Sequence, residues 1–178
     1  RWDIPPAYIF SLAGTGYRKN RRILLDAYRR LDAGLRAKFP LVVAGGPPPR
    51  EKEARVVPGM RFLHQVTNDE LHVLYHGASL FVWPSLFEGF GIPPLEAMTA
   101  GAPVLSSDAS VLPEVLEEHA FYFHPKNAVE LSQKLTFLLQ NETERKSKIA
   151  AARAHASKYS WERMAAAVLD VYRELGAA

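Results

Sequence analysis

Short apolar runs alternate along this chain with longer stretches whose apolar residues recur at helical spacing. The runs are residues 8–13 (YIFSLA), 40–46 (PLVVAGG), 60–66 (MRFLHQV), 79–83 (SLFVW), 102–105 (APVL) and 120–123 (AFYF). Their length, apolar continuity and flanking Gly and Pro residues read as buried strands. Between the first two, Ile23, Leu24, Ala27, Tyr28 and Leu31 mark the inner face of a helix expected from Arg18 to about Leu35. A short helix is expected over 51–57. Thr67 with Glu70 forms a capping box ahead of a helix that Gly77 ends. Pro93 and Pro94 suit the first turn of a helix that Gly101 closes. Asn127 with Glu130, Asn141 with Glu144, and Ser160 with Trp161 and Glu162 open the last three helices, the final one ending near Leu175. Strands alternating with helices predict an α/β fold: a Rossmann-like, doubly wound parallel sheet of about six strands with flanking helices.

Composition agrees and narrows the function. The chain has 178 residues, 48% of them hydrophobic and 23% charged, enough for one domain with a core of its own. No stretch of about 18 apolar residues could form a transmembrane helix, and no signal-peptide pattern opens the sequence. The absence of cysteine excludes disulfides and thiol catalysis. A net charge of +3 and a pI near 9.2 suit an anionic ligand or an anionic membrane surface. Nucleic acid is a poor fit, because the basic cluster from Arg18 to Arg22 is short and has only Tyr17 beside it. Arg1 opens the chain, and Ile4-Pro5-Pro6 leads straight into the first strand, the pattern of a segment cut at an interdomain linker.

The chemistry concentrates at residues 81–104, FVWPSLFEGFGIPPLEAMTAGAPV. This pattern places Glu88 in a loop at the carboxyl end of a strand and Glu96 in the first turns of the next helix. Open α/β sheets bind ligands in the crevice outside their strand ends. Gly89 and Gly91 let the backbone approach a ligand closely, and the helix start offers N–H groups to an anion. Two carboxylates are suited to accept hydrogen bonds from hydroxyls, as on a sugar or a ribose. A second candidate follows the first strand. Gly14-Thr15-Gly16, then Arg18 and Lys19 at a helix start, make a phosphate site. The plain alternatives are a solvated loop for the two glutamates and a solvated basic helix start for Lys19, Arg21 and Arg22.

Glu88 and Glu96 form E-x7-E within PSLFEGFGIPPLEAMTAGAPV, which resembles the donor-site signature of retaining GT-B glycosyltransferases of the family 4 type. The likeness to the C-terminal, donor-binding half of such enzymes extends over nearly the whole chain, through the RKN string at 18–20, LPEV at 112–115 and YSWE at 159–162. It implies that residues 1–178 are one nucleotide-sugar-binding domain, with an N-terminal acceptor domain outside this chain. Glu88 then faces the donor sugar, the backbone of Gly89, Phe90 and Gly91 contacts sugar and diphosphate, and Glu96 holds the ribose. Lys19 contacts the diphosphate and, with Glu88, carries the catalytic role. Val66 lies by the base. Many relatives have Gly-Arg after the first strand where this chain has Gly14-Thr15, so Arg18 stands in as the second cation. They also commonly have Gly where His64 stands, and His64 is read as a partly buried or loop residue rather than a catalytic one. The final helix packs back toward the acceptor domain in this family.

The resemblance implies a hexose donor such as GDP-mannose or UDP-glucose and a glycan or lipid acceptor. It implies no cofactor beyond the donor, and no metal, since the chain has no Asp-x-Asp cluster to hold an ion on diphosphate. The setting it implies is cytoplasmic, with peripheral contact at the inner face of a membrane open to the full-length protein. Two other readings stand beside it. Glu88 and Glu96 could be a glycosidase acid and nucleophile pair, or the chain could be a nucleotide-sugar-binding module without catalysis.

Overall fold

The computed structural model describes residues 2–14, 16–47 and 57–176. The helix expected at 51–57 lies almost wholly outside them. Six parallel strands form one sheet: β1 (Ile9–Leu12), β2 (Leu41–Ala44), β3 (Met60–Leu63), β4 (Leu80–Trp83), β5 (Val104–Ser107) and β6 (Phe121–Phe123), in the order β3-β2-β1-β4-β5-β6. The chain builds outward from β1 to β3, then returns to the middle and builds outward the other way from β4. The direction reverses between β1 and β4, and a crevice opens at the carboxyl ends of those two strands.

The strands read as continuous apolar runs because helices cover both faces. Alternate residues feed two separate cores. Phe10, Val42, Phe81, Trp83 and Val104 point to one side, where they meet α3 (Asn68–Gly77), α4 (Ile92–Ala100) and α8 (Ile149–Ala156). Ile9, Leu41, Val43, Val82 and Leu105 point to the other, against α1 (Arg21–Arg29) and α6 (Ala128–Gln140). Short helices α2 (Ala33–Lys38), α5 (Leu112–Leu116) and α7 (Glu142–Lys146) complete the layers, and α9 (Trp161–Glu174) ends the chain.

Several predicted caps form. Thr67 Oγ1 accepts from Glu70 N–H at 3.3 Å while Glu70 Oε2 accepts from Thr67 N–H at 2.9 Å. Asn127 Oδ1 accepts from Glu130 N–H, and Ser160 Oγ from Arg163 N–H. The expected helix over 18–35 is instead three pieces. A 3-10 turn spans Tyr17–Lys19, Asn20 adopts a left-handed conformation (φ 51°), and α1 and α2 follow as separate helices. The expected helix after Asn141 is likewise split into α7 and α8, and Asn141 turns its amide to the Phe137 carbonyl rather than capping with its side chain. Among the described residues, no helix is long and apolar enough to cross a membrane.

Candidate donor-binding site

Both loops at the direction reversal converge on Glu88. β4 delivers the chain into the loop 84–91, and β1 delivers it into the 3-10 turn Tyr17–Lys19. Lys19 Nζ donates to Glu88 Oε1 at 2.9 Å, and the Ser85 hydroxyl donates to the same oxygen at 2.6 Å. The Glu88 side chain is 15% exposed and that of Lys19 is 36% exposed, so the pair sits at the crevice mouth rather than in the core. Lys19 Nζ also lies 4.5 Å from the centre of the Trp83 ring, an attractive placement for a cation. Sequence-distant residues, one read for phosphate and one for sugar, thus meet. An ammonium has three donors, so its bond to Glu88 leaves capacity for a phosphate oxygen.

A scaffold of hydrogen bonds fixes this meeting. The Arg18 carbonyl accepts from Leu86 N–H at 2.7 Å, and the Ser85 hydroxyl, whose one proton goes to Glu88, lies 2.9 Å from the same carbonyl. Asn20 Nδ2 donates to the carbonyls of Pro84 and Pro125, tying the β1 loop to the loops after β4 and β6. Ser107 donates to the Ser85 carbonyl and Ser110 to the Glu88 carbonyl. Arg18 therefore reaches the site through its backbone, while its side chain is exposed. Arg21 departs from the solvated reading: it is 8% exposed and donates to the Pro47 carbonyl. Arg22 is solvent-facing as expected, beside Asp26.

The two loop glycines differ. Gly91 has φ 98°, and a Cβ there would meet Leu112 Cδ2 at 2.8 Å. A Cβ on Gly89 would meet nothing within 4 Å, so nothing in the protein demands glycine there and the backbone is open to a ligand. The start of α4 is a poorer anion site than expected. Pro93 and Pro94 occupy two of its first three positions and carry no N–H. The donors there come from Ile92 and from the preceding loop.

Glu96 stands on the exposed side of α4 and accepts from the Tyr75 hydroxyl at 3.1 Å. Tyr75 is buried against Phe10 and Phe81. Burial, reinforced by the neighbouring Glu96 charge, pushes its hydroxyl far above the usual tyrosine range. Tyr75 thus remains a proton donor and holds the carboxylate in place. Val66 follows β3 and lines a cavity of about 540 Å³ with Leu12, Gly45, His64, Gln65, Thr67 and Leu71. His64 is an exposed loop residue beside it. Phe90 is half exposed and packs edge-on to Tyr159 at 5.5 Å. Ser85, Asn20, Trp83 and Tyr75 were not singled out by the sequence. Only Asn20 carried a signal, since Asn tolerates the left-handed region better than most residues.

Residues 2–155 match the family of glycosyl transferases group 1. A serotype-specific mannosyltransferase of Escherichia coli is 34% identical over 184 residues, an alignment spanning 98% of this chain and 23% of that protein. O-antigen chain mannosyltransferase B of Escherichia coli is 32% identical over 191 residues, covering 97% of this chain and 49% of its own length. The chain therefore spans less than half the length of these curated relatives. Sucrose-phosphate synthase from Thermosynechococcus elongatus shares the fold with a TM-score of 0.84 at 23% identity, over 98% of this chain and 47% of that one. The C-terminal domain of a group 1 glycosyl transferase from Francisella tularensis does so with a TM-score of 0.70 at 22% identity, over 85% of each. With the E-x7-E loop built at the strand ends and the family match running from residue 2 to residue 155, this chain belongs to the group 1 glycosyl transferases, with the Rossmann-like architecture found in GT-B enzymes.

Proposed function

We propose that this chain is the donor-binding half of a retaining glycosyltransferase that moves a hexose from a nucleoside-diphosphate sugar to a glycan or lipid acceptor. The observation that carries this reading is the convergence of Lys19, Glu88 and the open backbone at Gly89 on one crevice between β1 and β4. In this reading Lys19 and the N–H groups of the loop before α4 neutralise the diphosphate as it departs, preorganised where charge develops. Glu88 orients the sugar, Glu96 accepts from the ribose hydroxyls, and the base lies in the cavity beside Val66. Mannose is the favoured sugar, supported by the relatives named as mannosyltransferases and by the RKN string; GDP-mannose is the first donor to test, UDP-glucose the second.

The hydrolytic alternative needs a general acid set in an apolar pocket. Glu88 instead accepts from a lysine and a serine, which favours transfer. The acceptor and the second wall of the cleft belong to a further domain. The exposed apolar stripe of α9 (Trp161, Met164, Val168 and Val171) supports this, being a surface that another domain would cover. Calorimetric titration of the chain with GDP-mannose, UDP-glucose and ADP-glucose tests the reading. Saturable binding of one sugar nucleotide at one site per chain is expected, and no binding of any would overturn it.

A further inference from the structure

A second constellation lies away from the Lys19–Glu88 pair, where the end of α8 meets the 3-10 turn Glu117–His119. His155 on α8 is 1% exposed. Its Nε2 lies 2.8 Å from the Val115 carbonyl. A carbonyl can only accept, so Nε2 carries the proton and, in the neutral ring, Nδ1 bears the lone pair. That Nδ1 is buried and has no hydrogen-bond partner. It points toward Glu117 Oε2 at 3.6 Å, and His119 Nε2 lies 3.9 Å from the same oxygen. The two imidazole rings face each other with centroids 4.5 Å apart. One ligand atom from each of the three residues lies within 4.8 Å of the others, and none of these separations is a hydrogen bond.

We propose that Glu117, His119 and His155 hold a divalent transition-metal ion of the Zn2+ type, with a fourth position open to water. Two imidazole nitrogens and one carboxylate oxygen form a donor set that zinc takes; Ca2+ and Mg2+ prefer oxygen alone. Ligands bound at about 2.0–2.1 Å in a tetrahedron stand about 3.3–3.4 Å apart. The separations of 3.6 and 3.9 Å are a few tenths of an ångström wider. Glu117 can close that gap, since its side chain is 47% exposed. The Val115 carbonyl behind His155 is the outer partner that fixes a metal-binding imidazole in the required tautomer. Glu118 Oε1, 3.8 Å from His119 Nε2, stands ready as a second carboxylate. Lys148 is the nearby cation, its ammonium held on the Glu118 carbonyl. The ion joins α8 to the turn before β6. His155 also stacks edge-on with Tyr159, which stacks on Phe90, so the metal braces the wall behind the donor loop.

The test is titration of the untagged, chelator-treated chain with ZnCl2, by calorimetry and by thermal melting, together with the visible spectrum of the Co2+ form. One ion per chain, a raised melting temperature and the absorption bands of a tetrahedral Co2+ site are expected. His155 is buried and its replacement could unfold the chain, so the variants are His119→Ala and Glu117→Gln, each expected to weaken binding roughly tenfold or more. Absence of saturable binding overturns the proposal, as does equal binding by the parent and both variants, which would place the ion on other histidines. None of these readouts depends on a sugar nucleotide.

Discussion

Phe87 and Phe90 in the loop before α4, and Trp161, Met164 and Val168 in α9, are all exposed, yet the two regions are held very differently. The loop is pinned on three sides. Ser110 bonds the Glu88 carbonyl, Ser107 the Ser85 carbonyl, and the Arg18 carbonyl accepts from Leu86 N–H. Its buried Ser85 is fully enclosed. Along α9 every described residue is exposed, and its apolar stripe touches no core. A helix of 14 residues without tertiary support is marginal in water. The difference separates two tasks. The loop is a surface held in place by the domain's own contacts, while α9 is held by neither buried cluster.

The largest effect expected from this contrast is on turnover. On the proposed reading, in which a further domain supplies the acceptor side, the chain alone should bind a sugar nucleotide and transfer nothing, because donor and acceptor are then not held in one geometry. Such positioning supplies about 7–11 kcal/mol of barrier lowering. Incubation with the best-bound donor and a range of glycan and lipid acceptors checks this. Sustained, acceptor-dependent transfer would mean that the chain contains its own acceptor site.

Next in size is the split between the two loop glycines. Gly91→Ala should lower stability by about 2–4 kcal/mol, combining a left-handed backbone penalty with the overlap on Leu112. Gly89→Ala should stay within about 0.5 kcal/mol in denaturant unfolding while weakening donor affinity. Equal stability losses would show that the loop is not built as described.

Glu96→Ala should weaken sugar-nucleotide binding by about 1–3 kcal/mol, the scale for leaving hydroxyls without a charged partner. Unchanged affinity with an intact fold would remove Glu96 from the ribose. The smallest effect belongs to α9. Truncation after Ser160 should shift unfolding by no more than about 1 kcal/mol, since no buried residue is lost from the helix. A larger loss would show that α9 is supported by the domain after all.

The central strands could be read from sequence because burial on both faces makes them continuous apolar runs, as in LFVW of β4. The Glu88 loop was legible for the same reason: its position follows from the strand that feeds it. What sequence could not show is set by contacts between distant segments. Asn20 breaks the expected helix because its amide reaches Pro84 and Pro125, 64 and 105 residues away. Arg21 leaves solvent because the Pro47 carbonyl is there to receive it. Glu117 and His119 have no motif linking them to His155, and only the packing of α8 brings the three together. The direct bond between Lys19 and Glu88 is of the same kind. Residue types and loops pointed to one crevice, but the pairing needed the fold.

That pairing makes the decisive measurement a comparison of ligands on one variant. Calorimetric titration of the parent chain and Lys19→Ala with a nucleoside diphosphate and with the matching nucleoside separates phosphate contact from general damage. Replacing Lys19 should weaken the diphosphate by about 1.5–3 kcal/mol, the scale of a charged hydrogen bond, and leave the nucleoside nearly unchanged. Equal losses for both ligands, or no loss for either, would contradict a donor crevice built around Lys19 and Glu88.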